Sequence, residues 1–316
     1  MTAEFDTSAW DPDALPPAQE SDLVLLSNES MRARRRPVAI LTLWAWQASL
    51  ALLVAWPVSA TVSAWYGGHP DGDGALWTPG AHALLDLVQH AGGATSGLIT
   101  LAWLVLLVGG FADLVPTAMV IASIAYVTRD RRAPPLSASL SRATEAFPTF
   151  TAMFALATLV EGFIAGAAML ITLASSHSLV EKLGEARGQQ IALLIGAVLM
   201  IGVAVVGVMH DLARTAAVRF RVRWVRAWRC AWNALARNPL LVLWAWAWRS
   251  AAGWAPVAIA ALVAAKLGGR GGASLIALAL VHQLAALARV ALRASWLATA
   301  LRAVDRAHRV IRSARD

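Results

Sequence analysis

The sequence predicts an all-α protein, a polytopic transmembrane helical bundle with six spans and both termini in the cytoplasm. Composition indicates the class, because apolar residues make up 58% of the 316 residues and charged residues only 15%. The charges also avoid several long windows, and about 20 apolar residues suffice for a helix to cross a hydrocarbon core. A third observation, the placement of the arginines, predicts the orientation.

The apolar windows set the predicted spans and the domain organisation. Residues 1–36 form an acidic, disordered cytosolic tail that ends in a basic flank, and residues 302–316 form a basic cytosolic tail. Between them, residues 37–301 form a membrane domain of three helical hairpins. Most spans exceed the about 20 residues that a bilayer requires, so tilted or protruding helices are expected. The spans are 37–65, 98–127, 148–174, 190–208, 239–267 and 274–297.

The basic residues lie mainly on one side of these spans. Of the 27 basic residues, 22 precede span one, fall between spans two and three or spans four and five, or lie at the C-terminal end from Arg289 onward. Cytoplasmic loops of membrane proteins are rich in Lys and Arg, so both termini should face the cytoplasm of a bacterial inner membrane. This placement accounts for the net charge of +8, and nucleic acid is not an expected partner. The opposite loops hold Lys182, Arg187, Lys266 and Arg270.

Residues 210–239 predict an amphipathic, tryptophan-rich surface helix between spans four and five. This pattern is typical of a helix lying in the membrane surface, with rings toward acyl chains and guanidinium groups among anionic headgroups. The alternative is a cytosolic helix that packs on its neighbours and leaves its arginines in solvent. One face of the projected helix carries Phe220, Trp224, Trp228, Ala231, Trp232 and Leu235, and the opposite face carries Arg219, Arg223, Arg226, Arg229 and Arg237.

Prolines suggest an internal repeat of three helical hairpins. Pro37, Pro148 and Pro239 each follow a cytosolic stretch and precede an apolar window. Proline suits the first turn of a helix, where its missing N–H would have no partner. Each is therefore expected to begin a span. Other helix-breaking residues are expected to kink the spans that contain them, namely Pro57, Gly109–Gly110 with Pro116, and Pro256.

Four charged residues fall near the middle of four different spans: Asp113, Glu161, Arg249 and Arg289. Each such charge costs roughly 2.5–3.5 kcal/mol on insertion scales, so these side chains should pair or line a wet cavity. The favoured interpretation is two acid–arginine pairs that hold the bundle together. The alternative is a pathway for protons or substrate.

Two further patterns predict local interactions. Asp211 and Arg214 are spaced as i, i+3 neighbours on a helix and should form an ion pair at the cytosolic end of span four. His82, Asp86 and His90 recur at one-turn intervals in the loop before span two. That spacing suits a divalent metal ion, and equally the wet face of a surface helix.

No catalytic motif is present. The sequence lacks HExxH, GxxxxGK[ST] and GxSxG, so neither an enzyme nor a cofactor is expected. The single cysteine, Cys230, excludes an intramolecular disulfide.

Three stretches carry a resemblance to a known group. They are SDLVLLSNESMRARRRPVAILTLW, the Gly109–Gly110 pair and HDLAR at residues 210–214. Together they resemble uncharacterised six-helix bacterial membrane proteins related to the membrane domain of glycerophosphoryl diester phosphodiesterases. The resemblance implies six helices and no phosphodiesterase activity, because no catalytic domain follows. A non-enzymatic scaffold or complex subunit is therefore expected, bound to anionic lipid headgroups and to a second copy or another membrane protein. The alternative is a small transporter or permease subunit that uses the midplane charges.

Overall fold

The computed structural model describes residues 23–27, 30–66, 93–130, 132–267 and 272–313, and this part of the chain is mostly helical. A short antiparallel sheet pairs β1 (Leu23–Leu25) with β2 (Tyr126–Thr128). The helices are α1 (Pro37–Tyr66), α2 (Gly93–Ala112), α3 (Leu114–Ala125), α4 (Leu136–Leu183), α5 (Glu185–Phe220), α6 (Trp224–Arg237), α7 (Pro239–Leu267) and α8 (Gly272–Ser313).

Five helical stretches among the described residues are long and apolar enough to cross a membrane. A helical protein of multi-pass type is therefore confirmed. Pro37–Leu53, within α1, is a shorter apolar helix. The five stretches are Leu107–Ala125, Leu136–Leu183, Ala186–Phe220, Pro239–Ala264 and Ile276–Arg309.

The buried core occupies one end of the bundle. It joins the start of α1, all of α3, the first part of α4, the end of α5, α6 and the second half of α8. In contrast, large apolar side chains on the remaining lengths of α4 and α5 are exposed, including Leu159, Phe163, Leu170 and Leu193. A water-soluble protein would bury such a surface, so these lengths fit a lipid environment. The largest fully buried side chains include Met31, Leu43, Ile121, Phe150, Leu212 and Leu297.

Span two is interrupted and ends earlier than predicted. A turn at Asp113 separates α2 from α3, between the glycine pair and Pro116. Pro116 has no N–H to offer the carbonyl of Ala112, which explains a break at this point. Beyond Ala125 the chain becomes extended, so the predicted helical end at residue 127 is wrong.

The small sheet structures part of the predicted N-terminal tail. Leu23 pairs with Thr128 and Leu25 with Tyr126, and Met31 is fully buried. The prediction of disorder is therefore wrong for the described residues between 23 and 36, because their apolar side chains pack in or against the core. Residues 1–22 lie outside the described part of the chain.

Pro148 does not begin a helix, so the predicted repeat fails at its second member. Pro37 and Pro239 are the first residues of α1 and α7, but Pro148 lies inside the 48-residue α4. The reason is packing: the buried stripe of α4 continues from Ala143 through Phe150 to Met153, on the side of the helix away from the exposed Pro148. A helix that stopped before Pro148 would lose this alignment with the core.

The boundaries near residues 210–239 and 302 also differ from the prediction. Residues 210–220 belong to α5, and a left-handed residue, Arg221 (φ 53°), separates them from α6. Likewise, residues 302–313 continue α8 without interruption, and Val304, Asp305 and Ala307 are buried. They are a packed helical end and not a separate tail.

Candidate functional site

The four midplane charges do not form one cluster. No salt bridge among the described residues joins any two of Asp113, Glu161, Arg249 and Arg289. The two acids interact electrostatically with Arg214 near the end of α5, whereas the two arginines line a separate cleft between α7 and α8. The predicted neutral quartet is thus two distinct sites.

Asp113 is held by neutral donors. Gln47 Nε2 donates to Asp113 Oδ1 at 3.2 Å, and Thr117 Oγ1 donates to Asp113 Oδ2 at 3.1 Å. Both partners are within reach because α1 and α3 pack against each other and because Thr117 lies one turn after Asp113. Half-buried Glu161 lies on α4, with its Oε1 beside Gly207 of α5.

Asp211 anchors a buried network that joins α5 to α8. Arg293 Nη1 and Nη2 donate to the two oxygens of Asp211, and Trp296 Nε1 donates to Oδ2 at 2.8 Å. The Asp211 side chain is 3% exposed and the Arg293 side chain 40%. The local ion pair predicted with Arg214 is therefore replaced by a partner 82 residues away. Buried acids favour such bidentate partners, which also satisfy the remaining oxygen lone pairs.

Two buried neighbours extend this network toward α4 and α6. The Arg214 guanidinium lies over the ring of Phe150, 5.8 Å from its centroid. The His210 ring stacks on Trp228 of α6 with a centroid separation of 6.4 Å. The C-terminal part of α5 therefore places Asp211, His210 and Arg214 against α8, α6 and α4, respectively.

A second buried network, centred on Arg219, ties the segment before α1 and the end of α8 to the core. Arg219 donates to Asp305 Oδ1 through Nε at 3.1 Å and Nη2 at 2.9 Å. The same guanidinium donates to the carbonyl of Leu26 at 3.0 Å and to that of Ala125 at 3.3 Å. Arg309 Nε donates to the second oxygen of Asp305 at 3.1 Å. Both Arg219 and Asp305 have side chains only 7% exposed.

The burial of Arg219 corrects the predicted lipid-facing set on residues 219–232. Arg223, Arg226, Arg229, Trp224 and Trp232 are exposed, and Trp228 is partly buried, but Arg219 belongs to the core. The helix end at Phe220 and the left-handed Arg221 rotate Arg219 out of register with the α6 arginines. Sequence periodicity assumed one continuous helix and could not show this. The inner face of α6 is Ala227, Ala231, Ala234 and Leu235.

Arg249 and Arg289 line a cleft of about 370 Å³ between α7 and α8. Arg249 is fixed by hydrogen bonds from Nη1 to the carbonyl of Ala245 at 2.7 Å and from Nε to Ser295 Oγ at 3.2 Å. Arg289 lies over the ring of Trp254, with 4.7 Å between Cζ and the centroid. No salt bridge within the described ranges reaches either arginine, so this cleft is positively charged.

His82, Asp86 and His90, the alternative metal ligands, lie outside the described residues. No protein-family model, curated protein or solved structure matches this chain.

Proposed function

We propose that this chain is a multi-pass protein of a bacterial inner membrane, with six spans and both termini in the cytoplasm. Five spans are supported by helices of sufficient length and apolar character. The sixth is α1, whose 30 residues begin at the predicted proline and carry exposed Leu52, Leu53 and Trp56. The arginine-rich segments all belong to the end that holds the core, which supports a cytoplasmic location for that end.

Cys230 provides the test of this orientation. It lies on α6, which we propose rests on the cytoplasmic surface with Arg226 and Arg229 among anionic headgroups. An impermeant maleimide should label Cys230 in inverted vesicles and not in intact spheroplasts. Burial raises the pKa of the Cys230 thiol, so less thiolate is present at neutral pH and labelling should accelerate as pH rises. Labelling in spheroplasts alone would reverse the orientation.

We further propose a non-enzymatic role, as a scaffold or complex subunit that assembles with a second copy or another membrane protein. The observation that carries this proposal is the pairing of the buried acids. Asp211 and Asp305 each bind an arginine from a different helix, and their charges thereby hold the bundle together. The exposed apolar lengths of α4 and α5 then provide the surface for assembly.

A transporter or permease subunit is the second candidate, and Asp113 and Glu161 favour it. Neither acid takes part in the salt bridges of the described residues, and both lie inside spans. Asp113 also lies at the interruption between α2 and α3, where local backbone movement is easiest. A proton-coupled protein requires an acid that can gain and lose its charge.

Photo-crosslinking separates the two candidates. A photoreactive amino acid replaces Phe163 on α4, which is 78% exposed, and a control replaces Trp56 on α1, which is 81% exposed. In intact cells a scaffold should give one discrete protein adduct from position 163, at twice the 33.5 kDa of the chain for a homo-oligomer. Adducts only to lipid, together with proteoliposome flux that Asp113→Asn abolishes, would instead establish the transporter.

A further inference from the structure

The cleft between α7 and α8 contains fixed positive charge within spans. The hydrogen bonds to Ala245 and Ser295 immobilise the Arg249 guanidinium and leave Nη2 free of the contacts just described. Arg293 also lines the cleft, but Asp211 balances its charge. Two positive charges, on Arg249 and Arg289, therefore remain. An arginine within a membrane span is unfavourable without an anion, so an anion bound in the cleft would stabilise it.

Tryptophans line and surround this cleft. Trp246, Trp254 and Trp296 line it, and Trp244, Trp248 and Trp254 on α7 are exposed. Tryptophan is enriched at membrane–water interfaces, where its ring meets acyl chains and its N–H meets polar groups. Arg249 is ten residues into α7, about 15 Å along its axis and therefore within the hydrocarbon core, but its guanidinium reaches back one turn to the carbonyl of Ala245, toward the headgroup layer.

The cleft lies between two proposed spans, whose outer faces carry exposed apolar side chains, among them Leu262 on α7 and Leu284 on α8. Acyl chains surround such faces in a bilayer, so the anion that is at hand for the cleft is the phosphate of a lipid.

We propose that this cleft binds the phosphate of an anionic phospholipid of the cytoplasmic leaflet. Guanidinium groups bind phosphate oxygens through paired N–H donors, and the indole N–H groups of Trp246 and Trp254 supply further donors, whereas that of Trp296 binds Asp211. The cleft volume of about 370 Å³ accommodates a headgroup phosphate with its glycerol. Two uncompensated arginines favour a lipid with net negative charge over a zwitterionic one. The inference rests on the proposed membrane embedding and is independent of the scaffold role.

The test measures lipid binding by the full chain in a neutral detergent. Phosphatidylglycerol should raise the melting temperature, and native mass spectrometry should detect retained lipid. In the Arg249→Gln/Arg289→Gln variant, the lipid affinity that both measurements report should fall about tenfold or more, because each substitution removes a charge-assisted contact. A matched control, Lys182→Gln/Arg187→Gln, removes two exposed basic residues from the junction of α4 and α5, on the opposite side of the membrane, and should retain the bound lipid.

Three further arms identify the ligand. Phosphatidylcholine should give a clearly smaller shift, and inorganic phosphate should give none. An equal shift with inorganic phosphate would overturn the lipid assignment in favour of a free anion, and equal binding by both double variants would overturn the site itself. If the cleft variant folds poorly, Arg289→Gln alone serves, because Arg289 is exposed and its described contact is with the Trp254 ring. Cys230 labelling tests the embedding separately.

Discussion

Asp305→Asn should destabilise the protein by about 3–5 kcal/mol, the largest effect expected of any single substitution proposed for this chain. The change keeps the shape of the side chain but removes the charge that compensates Arg219. Both side chains are 7% exposed, so water cannot replace the lost interaction. The measurement is the free energy of unfolding in mixed detergent micelles.

A matched control and a double variant isolate the cause. Asp130→Asn removes an exposed acid and should change the stability by less than about 0.5 kcal/mol. Replacing Asp305 and Arg219 together with leucine and methionine should recover much of the loss, because no buried charge then lacks a partner. Equal stability of Asp305→Asn and Asp130→Asn would refute a structural role for this network.

Asp211→Asn should cost about 3 kcal/mol, at the lower end of the range for buried pairs. The bidentate contact with Arg293, which consists of two hydrogen bonds, is lost, but Arg293 is 40% exposed and can regain some hydration. Asparagine can still accept the hydrogen bond from Trp296. Thermal unfolding of the detergent-solubilised chain is the measurement, and Asp211→Leu with Arg293→Leu should restore part of the loss.

Glu145→Gln is the control for this second substitution. Glu145 also binds two arginines, Arg142 and Arg221, but its side chain is 47% exposed. Exposed ion pairs contribute only about 0–1 kcal/mol, so its removal should have little effect. If Asp211→Asn were as mild as Glu145→Gln, the Asp211 network would be available for a role other than stability, and transport would gain support.

The two networks change the interpretation of charge in this protein. The midplane acids and arginines are expected from the sequence to neutralise one another, yet the neutralising pairs lie closer to the end of the bundle that holds the core and use Asp211, Arg293, Arg219 and Asp305. The charged residues outside these pairs are distributed unequally. Two acids lie near Arg214, and two arginines line the α7–α8 cleft. This separation motivates both the transport alternative and the lipid site.

Some features could be predicted from the sequence because they depend on local properties. Helix formation over long apolar windows follows from composition, and Pro37 and Pro239 begin helices because a first turn does not need their N–H. The separation of the tryptophans and the arginines of α6 onto different sides also follows from helical periodicity, which fixes which residues share a side. These properties require no knowledge of the neighbours.

Other features depend on contacts between distant segments and were decided only by the tertiary structure. The continuity of α4 through Pro148 depends on a buried stripe that aligns with the core. The partner of Asp211 depends on α8 lying beside α5, which makes a bidentate arginine available that the nearby Arg214 does not supply. Arg219 turns inward because α5 ends at Phe220 and carboxylate and carbonyl oxygens surround its guanidinium. Sequence periodicity tells which residues share a helix face, but the energy of a buried charge depends on what that face meets, and only the packed bundle determines this.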